Sequence, residues 1–155
     1  MTATERVTST CPFTIRRRVR FGDCDPAGVV YTVRFSDYAV SAMELFLAEL
    51  LGGPHLVQLA GINTPIKALA FVFSASMRPN DEFDMRVMVR EIRTRTFDLA
   101  IAGTLADGTP AFEVLLTPIT IDAEFRSIAI PDVLRTLLTT YQQRSGAADA
   151  STLSH

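Results

Sequence analysis

The sequence predicts an α+β fold in which an antiparallel sheet wraps around one long helix. The first observation behind this prediction is a broad apolar stripe over residues 35–51, where hydrophobic side chains recur at spacings of three and four, as on a buried helix. The second is a change of period in the second half of the chain, where apolar and polar residues alternate as they do in strands. A chain of 155 residues is long enough for one domain with its own core.

The first strand is predicted over residues 13–21, "FTIRRRVRF", because its apolar residues share one parity, although Arg17 interrupts the pattern. Residues 1–12 are polar and are predicted to form a flexible arm. A turn rich in Asp, Pro and Gly follows the strand. The apolar helix comes next, and the glycine pair that begins at Gly52 ends it.

The second half of the chain predicts a meander of further strands. The apolar run over residues 66–77 is almost continuous, which is typical of a central strand. Residues 83–92 and 97–106 alternate, and the turn "ADGT" leads into the last strand, over 110–121. Pro118 in that strand indicates a sheet edge or a bulge.

The C-terminal part is predicted to add a short amphipathic helix from Pro131 and then a tail of small polar residues. We therefore predict one domain over residues 13–142 and a disordered tail over 143–155. The chain shows neither an internal repeat nor a second domain.

The composition excludes several classes of function. With 48% apolar and 21% charged residues the chain is not generally disordered, and a net charge of -2 gives no electrostatic basis for binding nucleic acid. No apolar run approaches the length of a membrane span, and the first residues lack the apolar core of a secretory signal, so we expect a cytoplasmic protein. Cys11 and Cys24 are then expected to be free thiols, and no spacing of Cys and His indicates a metal site.

The stretch "FGDCDPAG", residues 21–28, has two interpretations. An Asp-Pro step such as Asp25-Pro26 starts many turns and needs no further role. The same carboxylate directly precedes a buried helix, whose N-terminus stabilises developing negative charge, so Asp25 could attack a carbonyl or activate water. Cys24 is a poor candidate for the nucleophile because its two neighbouring carboxylates oppose thiolate formation. Asp23 is expected to form hydrogen bonds within the loop.

Two arginines, Arg93 and Arg95 in "REIRTRTF", lie at a junction between two predicted strands. Arginines clustered on a tight turn are usually solvated, but the guanidinium group also suits phosphate. Both interpretations remain open from the residues alone.

The sequence "FGDCDPAGVVY" resembles the signature of the 4-hydroxybenzoyl-CoA thioesterase family, in the branch that uses a catalytic aspartate. The resemblance continues in "TPI", "EIRTRTF" and "IAIP" and covers about residues 13–140. It implies the hotdog fold, in which an antiparallel sheet encloses one long helix, as the pattern of elements also predicts. After "GVVY" the family often continues with an aromatic residue, any residue, Asn and Tyr, whereas this chain has Thr32, Val33, Arg34 and Phe35.

The resemblance also implies a role for each matched position. Asp25 would be the nucleophile or the general base, and the backbone at Gly28, Tyr31 and Thr32 would form the oxyanion site at the helix start. Arg93 and Arg95 would meet the nucleotide phosphates of CoA. Neither a metal nor a cofactor is implied, and members are commonly homotetramers with sites at subunit boundaries.

The expected activity is hydrolysis of an acyl-CoA thioester, with an aryl or other bulky acyl group favoured, to a carboxylic acid and CoA. One alternative is a thioesterase that acts on acyl chains carried by a protein. Another, from a different class, is a non-catalytic hotdog protein that binds acyl-CoA. A dehydratase is less favoured, because no Asp-His pair occurs at suitable positions.

Overall fold

The computed structural model describes residues 4–53 and 61–152 of the chain. Its elements are β1 (Glu5–Thr10), β2 (Phe13–Arg18), a short 3-10 helix (Phe21–Asp23), α1 (Arg34–Leu51), β3 (Ile66–Phe73), β4 (Glu82–Ile92), β5 (Phe97–Leu105), β6 (Pro110–Pro118) and α2 (Asp132–Thr152). The strands form a 6-stranded sheet in the order β1-β2-β4-β5-β6-β3, and every neighbouring pair is antiparallel. The predicted α+β architecture is confirmed.

Helix α1 forms where the apolar stripe predicts it. Its buried residues are all members of that stripe: Phe35, Tyr38, Ala39, Ala42, Met43, Phe46 and Leu47. The helix ends at Gly52, which adopts the left-handed conformation (φ 88°) and donates its N–H to the carbonyls of Ala48 and Glu49. Because only glycine adopts this conformation without strain, the sequence signal for the helix end is also its physical cause.

The core lies between α1 and one face of the sheet. Alternate residues of β2, β4, β5 and β6 point into it, among them Phe13, Met85, Leu99 and Leu116, each with no exposed surface. Gly103 has a specific role here, because a side chain at this position would overlap the ring of Phe112 on the neighbouring strand. The missing side chain lets Phe112 pack across β5 and reach Phe35 of α1, with ring centroids 5.1 Å apart.

Helix α2 packs beside α1 on the same face of the sheet. Its apolar residues Leu134, Leu138 and Tyr141 are buried. The Tyr141 ring lies 4.8 Å from that of Phe46, and its hydroxyl donates a hydrogen bond to the carbonyl of Val87. In the described part of the chain, the opposite face of the sheet therefore has no helix over it. None of the described helices is long and apolar enough to cross a membrane.

Both ends of the chain differ from the sequence prediction. Residues 5–10, expected to be part of a flexible arm, form β1 and pair with β2, and the Glu5 carboxylate binds Arg17 at 2.6 Å. The α2 backbone continues to Thr152, through most of the segment predicted to be disordered. Alanine is frequent there and has the highest helix propensity, which outweighs the polar composition. Residues 1–3 and 153–155 of these two segments lie outside the described part.

Strand β3 lies at the edge of the sheet, whereas its apolar run predicted a central strand. Leu69 and Phe73 share a face with the buried residues of β6 but are 38% and 47% exposed, although Phe73 contacts Phe35 at the start of α1. Val72, on the other face, is 64% exposed. The neighbouring Pro118 of β6 pairs with Ile66 next to a register shift, as expected for a proline at an irregular strand end.

Candidate functional site

The loop between β2 and α1 is held in a compact form by its own backbone. The Gly28 N–H donates to the carbonyl of Asp25 at 2.9 Å, and the Asp25 N–H donates to the carbonyl of Val29. Gly28 has a φ of 82°, which this tight turn requires and which favours glycine. Cys24 and Val30 pair as a short antiparallel bridge, so the turn projects Asp25 from a fixed base.

The Asp25 carboxylate lies at a cavity of about 420 Å³. Its Oδ1 accepts the N–H of Ala27 at 2.9 Å, and this hydrogen bond stabilises the turn. Its second oxygen has no hydrogen-bond partner among the described residues. The other walls come from the start of α1 and from the segment that follows β3, and include Thr32, Phe35, Phe73, Ser74 and Ser76. Asp25 thus has both a structural bond and an oxygen available to a ligand.

The amide groups predicted to form the oxyanion site differ in availability. The N–H of Tyr31 donates to the Asp23 carbonyl at 2.9 Å, and that of Gly28 is engaged in the turn. The Thr32 N–H has no partner among the described residues, and Thr32 lines the same cavity as Asp25. The positive end of the α1 dipole lies at this point of the chain. Of the predicted positions, Thr32 therefore has the amide that can bind a ligand oxygen.

Asp23 and Cys24 lie beside Asp25 but have different surroundings. The buried carboxylate of Asp23 accepts hydrogen bonds from the Arg20 N–H at 3.0 Å and the Tyr38 hydroxyl at 2.9 Å, so Asp23 is the loop hydrogen-bonder that the sequence predicts. Desolvation raises the pKa of the Cys24 thiol, and the charges of Asp23 and Asp25 raise it further. The thiol is therefore kept protonated, as the flanking carboxylates predict.

Arg93 and Arg95 occupy different environments. Both terminal nitrogens of Arg93 lie 2.9 Å from the Asp98 carboxylate, and one of them also binds Glu91 at 2.8 Å. Asp98 is buried and also accepts a hydrogen bond from Thr117. Arg95 is exposed, and its side chain donates to the Ser127 hydroxyl at 3.0 Å. The charge of Arg93 is thus neutralised by its neighbours, whereas the Arg95 side chain has a neutral partner.

The two groups of predicted site residues lie at opposite ends of β3 in one chain. The cavity beside Asp25 includes Ser74, which follows β3, whereas the surface beside Arg93 includes Lys67 near its start. At about 3.3 Å per strand residue, these ends are about 23 Å apart. The structure therefore brings Asp25 and Thr32 together but does not bring the arginines to the same cavity.

The sequence prediction missed the cavity wall formed by Phe73, Ser74 and Ser76. The signal was present as two serines that interrupt the apolar run "FVFSASM", where a buried strand would have continued. The strand ends at Phe73, and the N–H groups of Ser74 and Ala75 both donate to the Ala111 carbonyl. The wall thus turns away from the sheet and places small polar side chains at the cavity.

Comparison with known proteins places the chain among enzymes that cleave thioesters. The family model described as the thioesterase-like superfamily matches residues 19–138. No curated protein sequence matches the chain.

Solved structures of similar fold span most of the chain. A gentisyl-coenzyme A thioesterase is 25% identical, with 81% of this chain and 98% of that chain covered and a TM-score of 0.73. A thioesterase-superfamily protein from Jannaschia sp. CCS1 is 27% identical, with coverage of 83% and 92% and a TM-score of 0.77. A Staphylococcus aureus protein in complex with CoA is 14% identical, with coverage of 93% and 89% and a TM-score of 0.80, which is a likeness of fold. The fold is the hotdog fold that the resemblance implied.

The Arg93–Asp98 ion pair predicts a specific pH dependence of stability. The hydrogen bond from Arg93 lowers the pKa of Asp98, with a further contribution from Thr117. A lowered folded-state pKa gives stability that is complete above the ordinary pKa of about 4 and is lost as the pH falls through the folded value. Asp98→Asn should therefore reduce the free energy of unfolding by about 1–2 kcal/mol at neutral pH, since solvent partly screens the pair.

Urea denaturation at neutral pH and at about pH 3 measures this difference, which should begin to shrink at the lower pH because the unfolded state then binds a proton at Asp98 that the folded state takes up only at still lower pH. Glu49→Gln, on the exposed side of α1, removes a carboxylate that forms no such ion pair with the described residues, and it serves as the control. A penalty for Asp98→Asn that is equal at both pH values would contradict the assignment.

Proposed function

The chain belongs to the thioesterase-like superfamily, and on this basis we propose that it is an acyl-CoA thioesterase in which Asp25 carries the reaction. The observation that carries the proposal is the cavity at which the Asp25 carboxylate and Thr32, with its unpartnered amide, meet at the start of α1. Thioester hydrolysis needs a group that attacks or activates water and a donor for the oxyanion that forms. These two positions supply both.

The chemistry can follow either of two routes at Asp25. As a general base, the carboxylate takes a proton from water while the water oxygen bonds to the thioester carbon. As a nucleophile, a carboxylate oxygen bonds to that carbon itself, and water then cleaves the resulting anhydride. In both routes the C–S bond breaks and the sulfur leaves as the thiol of CoA, while the Thr32 N–H stabilises the charge on the carbonyl oxygen.

The aromatic side chains at the cavity support an aryl acyl group as the substrate. Phe35 and Phe73 line the cavity with ring centroids 4.8 Å apart and ring planes at 64°, and Phe71, outside this lining, stacks on Phe73 at 5.6 Å. Aromatic rings at a cavity wall pack favourably against an aryl group, either edge to face or offset-stacked. One of the similar solved structures, 25% identical, is named as a thioesterase for gentisyl-coenzyme A, which is an aryl-CoA thioester.

The CoA nucleotide is proposed to meet Arg95. Its exposed guanidinium group contacts one neutral hydroxyl, that of Ser127, so its charge is available to a phosphate. Arg93, which the resemblance places in the same role, has two carboxylate partners, and we propose that it holds the strand junction on which Arg95 is carried.

A homo-oligomer is proposed because β3 is apolar on both faces and has an unpaired edge in one chain. An edge of this kind pairs readily with another strand. Two copies paired antiparallel along β3 would place the Arg95 end of one chain beside the Asp25 end of the other, spanning the separation of about 23 Å within a chain. The site would then lie at a subunit boundary.

The uncovered face of the sheet supports a tetramer as the assembly of two such dimers. A trough of about 400 Å³ on this face is lined by apolar residues that include Val72, Met88 and Leu115, and by the charged residues Arg86, Arg90 and Glu113. Val72 and Leu115 are 64% and 44% exposed in one chain, and burial of such side chains is favourable. A second dimer stacked on this face would cover them.

Light scattering at micromolar concentration tests the assembly. Wild type should have the mass of a tetramer of 17.0 kDa chains. Val72→Glu, which places a second carboxylate opposite Glu113 in the trough and on the β3 edge strand, should give a smaller species. Val133→Glu, on the exposed side of α2, is the matched control and should leave the mass unchanged. A monomeric wild-type mass would rule out the proposed assembly.

Steady-state kinetics on two substrates tests the role of Arg95. Arg95→Ala should raise KM for a CoA thioester about 5- to 20-fold with little change in kcat, because an exposed charge-assisted contact to phosphate is lost. The effect should disappear with the pantetheine thioester of the same acid, which lacks the nucleotide. Arg93→Ala should mainly lower the free energy of unfolding, because its proposed role is structural. Equal penalties for Arg95→Ala on both substrates would refute the assignment.

Substitution of Asp25 tests the proposed function directly. Asp25→Asn keeps a side-chain oxygen for the Ala27 N–H, so the turn is retained while the carboxylate chemistry is removed. We expect kcat to fall about 10²- to 10⁴-fold with substrate still bound. Asp23→Asn is the matched control in the same loop, and its kcat should fall far less. Wild-type kcat in Asp25→Asn, with unchanged circular dichroism, would contradict both routes.

One turnover in ¹⁸O-water identifies the covalent route when water cleaves the anhydride at the Asp25 carbonyl. Enzyme oxygen in the first product, or ¹⁸O in Asp25, requires that route, whereas water activation, like attack of water on the acyl carbon of the anhydride, labels every product molecule and leaves Asp25 unlabelled. A wild-type protein that binds CoA thioesters without turnover would favour the non-catalytic alternative. Turnover of carrier-bound acyl chains alone would favour the carrier-protein alternative.

A further inference from the structure

A buried hydrogen bond between Tyr38 and Asp23 lies beneath the loop that carries Asp25. Tyr38 comes from the second turn of α1, has no exposed surface and donates its hydroxyl to Asp23 Oδ2 at 2.9 Å. The same oxygen accepts the Arg20 N–H at 3.0 Å. One carboxylate oxygen therefore connects the end of β2 to the helix.

The main chain of Asp23 ties the two ends of the loop together. Its carbonyl accepts the N–H of Tyr31, which is the residue before Thr32. Asp25 lies two residues after Asp23, within the loop that this hydrogen bond closes. The separation between the Asp25 carboxylate and the Thr32 amide thus depends on a residue that contacts α1 through Tyr38.

The surroundings of Tyr38 fix its ring and keep its proton in place. The Arg17 guanidinium lies 4.6 Å from the ring centroid, and the Arg17–Glu5 ion pair holds it there. The Ser41 hydroxyl of α1 donates to Glu5 at 2.7 Å, so β1, β2 and α1 all support this contact. Burial and the bond to Asp23 raise the pKa of Tyr38, so the hydroxyl remains a donor over the working pH range.

We propose that Tyr38 and Asp23 are positioning residues for thioester hydrolysis, which set the distance between the Asp25 carboxylate and the Thr32 amide. The proposal rests on the function proposed above. Neither residue touches the substrate, and Tyr38 is absent from the walls of the cavity. They act through the loop, because a donor–acceptor pair displaced by 1 Å can lose about a hundredfold in rate.

Kinetics of paired variants test the positioning role. Tyr38→Phe should lower kcat roughly 10- to 100-fold with KM nearly unchanged. Asp23→Asn should restore most of the activity lost in Asp23→Ala, because both donors meet the same oxygen and the amide oxygen can accept them. In the Asp23→Ala background, Tyr38→Phe should cause no further loss, since the contact is already gone.

Tyr141→Phe is the matched control for the loss of a buried tyrosine hydroxyl. Tyr141 also lies on a helix against the core, and its hydroxyl accepts the Phe13 N–H and donates to Val87. It should lower stability as Tyr38→Phe does but leave kcat unchanged. Equal losses of kcat in both variants would show that general destabilisation explains the effect, and would overturn the proposal.

A readout independent of catalysis separates this proposal from the proposed function. In a Cys11→Ser background, Cys24 is the remaining cysteine of the chain and lies between Asp23 and Asp25. Its alkylation by iodoacetamide in the native state should be several-fold faster in Tyr38→Phe, because the loop opens more often. The rate in Tyr141→Phe should match wild type.

The outcomes separate the two proposals. If Asp25→Asn abolishes turnover while Tyr38→Phe changes neither kcat nor the alkylation rate, the positioning role is overturned and the proposed function stands. If Asp25→Asn remains active, the proposed function fails, and alkylation alone decides whether Tyr38 holds the loop. Faster alkylation together with a lower kcat in Tyr38→Phe supports the proposal.

Discussion

Burial of the apolar face of α1 against the sheet is the constraint on which the rest of the structure depends. The helix presents aromatic side chains such as Phe35, Tyr38 and Phe46, and they need a surface of similar size to cover them. The gap at Gly103 allows Phe112 to supply part of that surface next to Phe35. Since these contacts hold the first turns of α1, they also fix the helix N-terminus, where thioester chemistry needs a donor that does not move.

The same packing explains why the site and the uncovered surfaces are neighbours. Helix α1 contacts β3 through Phe35 and Phe73, while Leu69 on the same face of β3 stays 38% exposed, so the inward side of β3 near Phe73 becomes a wall of the cavity. Burial of the exposed apolar side chains on both faces of β3 would be favourable. The surface proposed to meet a partner and the wall of the cavity at Phe73 thus belong to the same strand.

The sequence predicted those features that depend on local chemistry. The helix, its end at Gly52 and the turn at Asp25 follow from spacing and from backbone preferences, and the structure confirms each of them. The edge position of β3 could not be predicted, because an apolar run indicates burial without specifying the position of the strand in the sheet. Strand β1 was missed because "ERVTST" is polar, and its pairing with β2 depends on long-range contacts such as Glu5 with Arg17. The partner of Arg93 was also hidden, because Asp98 approaches it only when the β4–β5 hairpin forms.

The cysteine inside the loop has a consequence for the lifetime of the protein during turnover. In the proposed site, a Cys24 thiolate would attack the thioester carbon, CoA would leave as its thiol, and the acyl group would remain on the Cys24 sulfur. Burial, together with Asp23 and Asp25, raises the pKa of this thiol and so reduces its reactivity at neutral pH. In the proposed site, the acidic residues of the loop would therefore oppose acylation of Cys24 by the substrate, and they also make Cys24 less sensitive to oxidants.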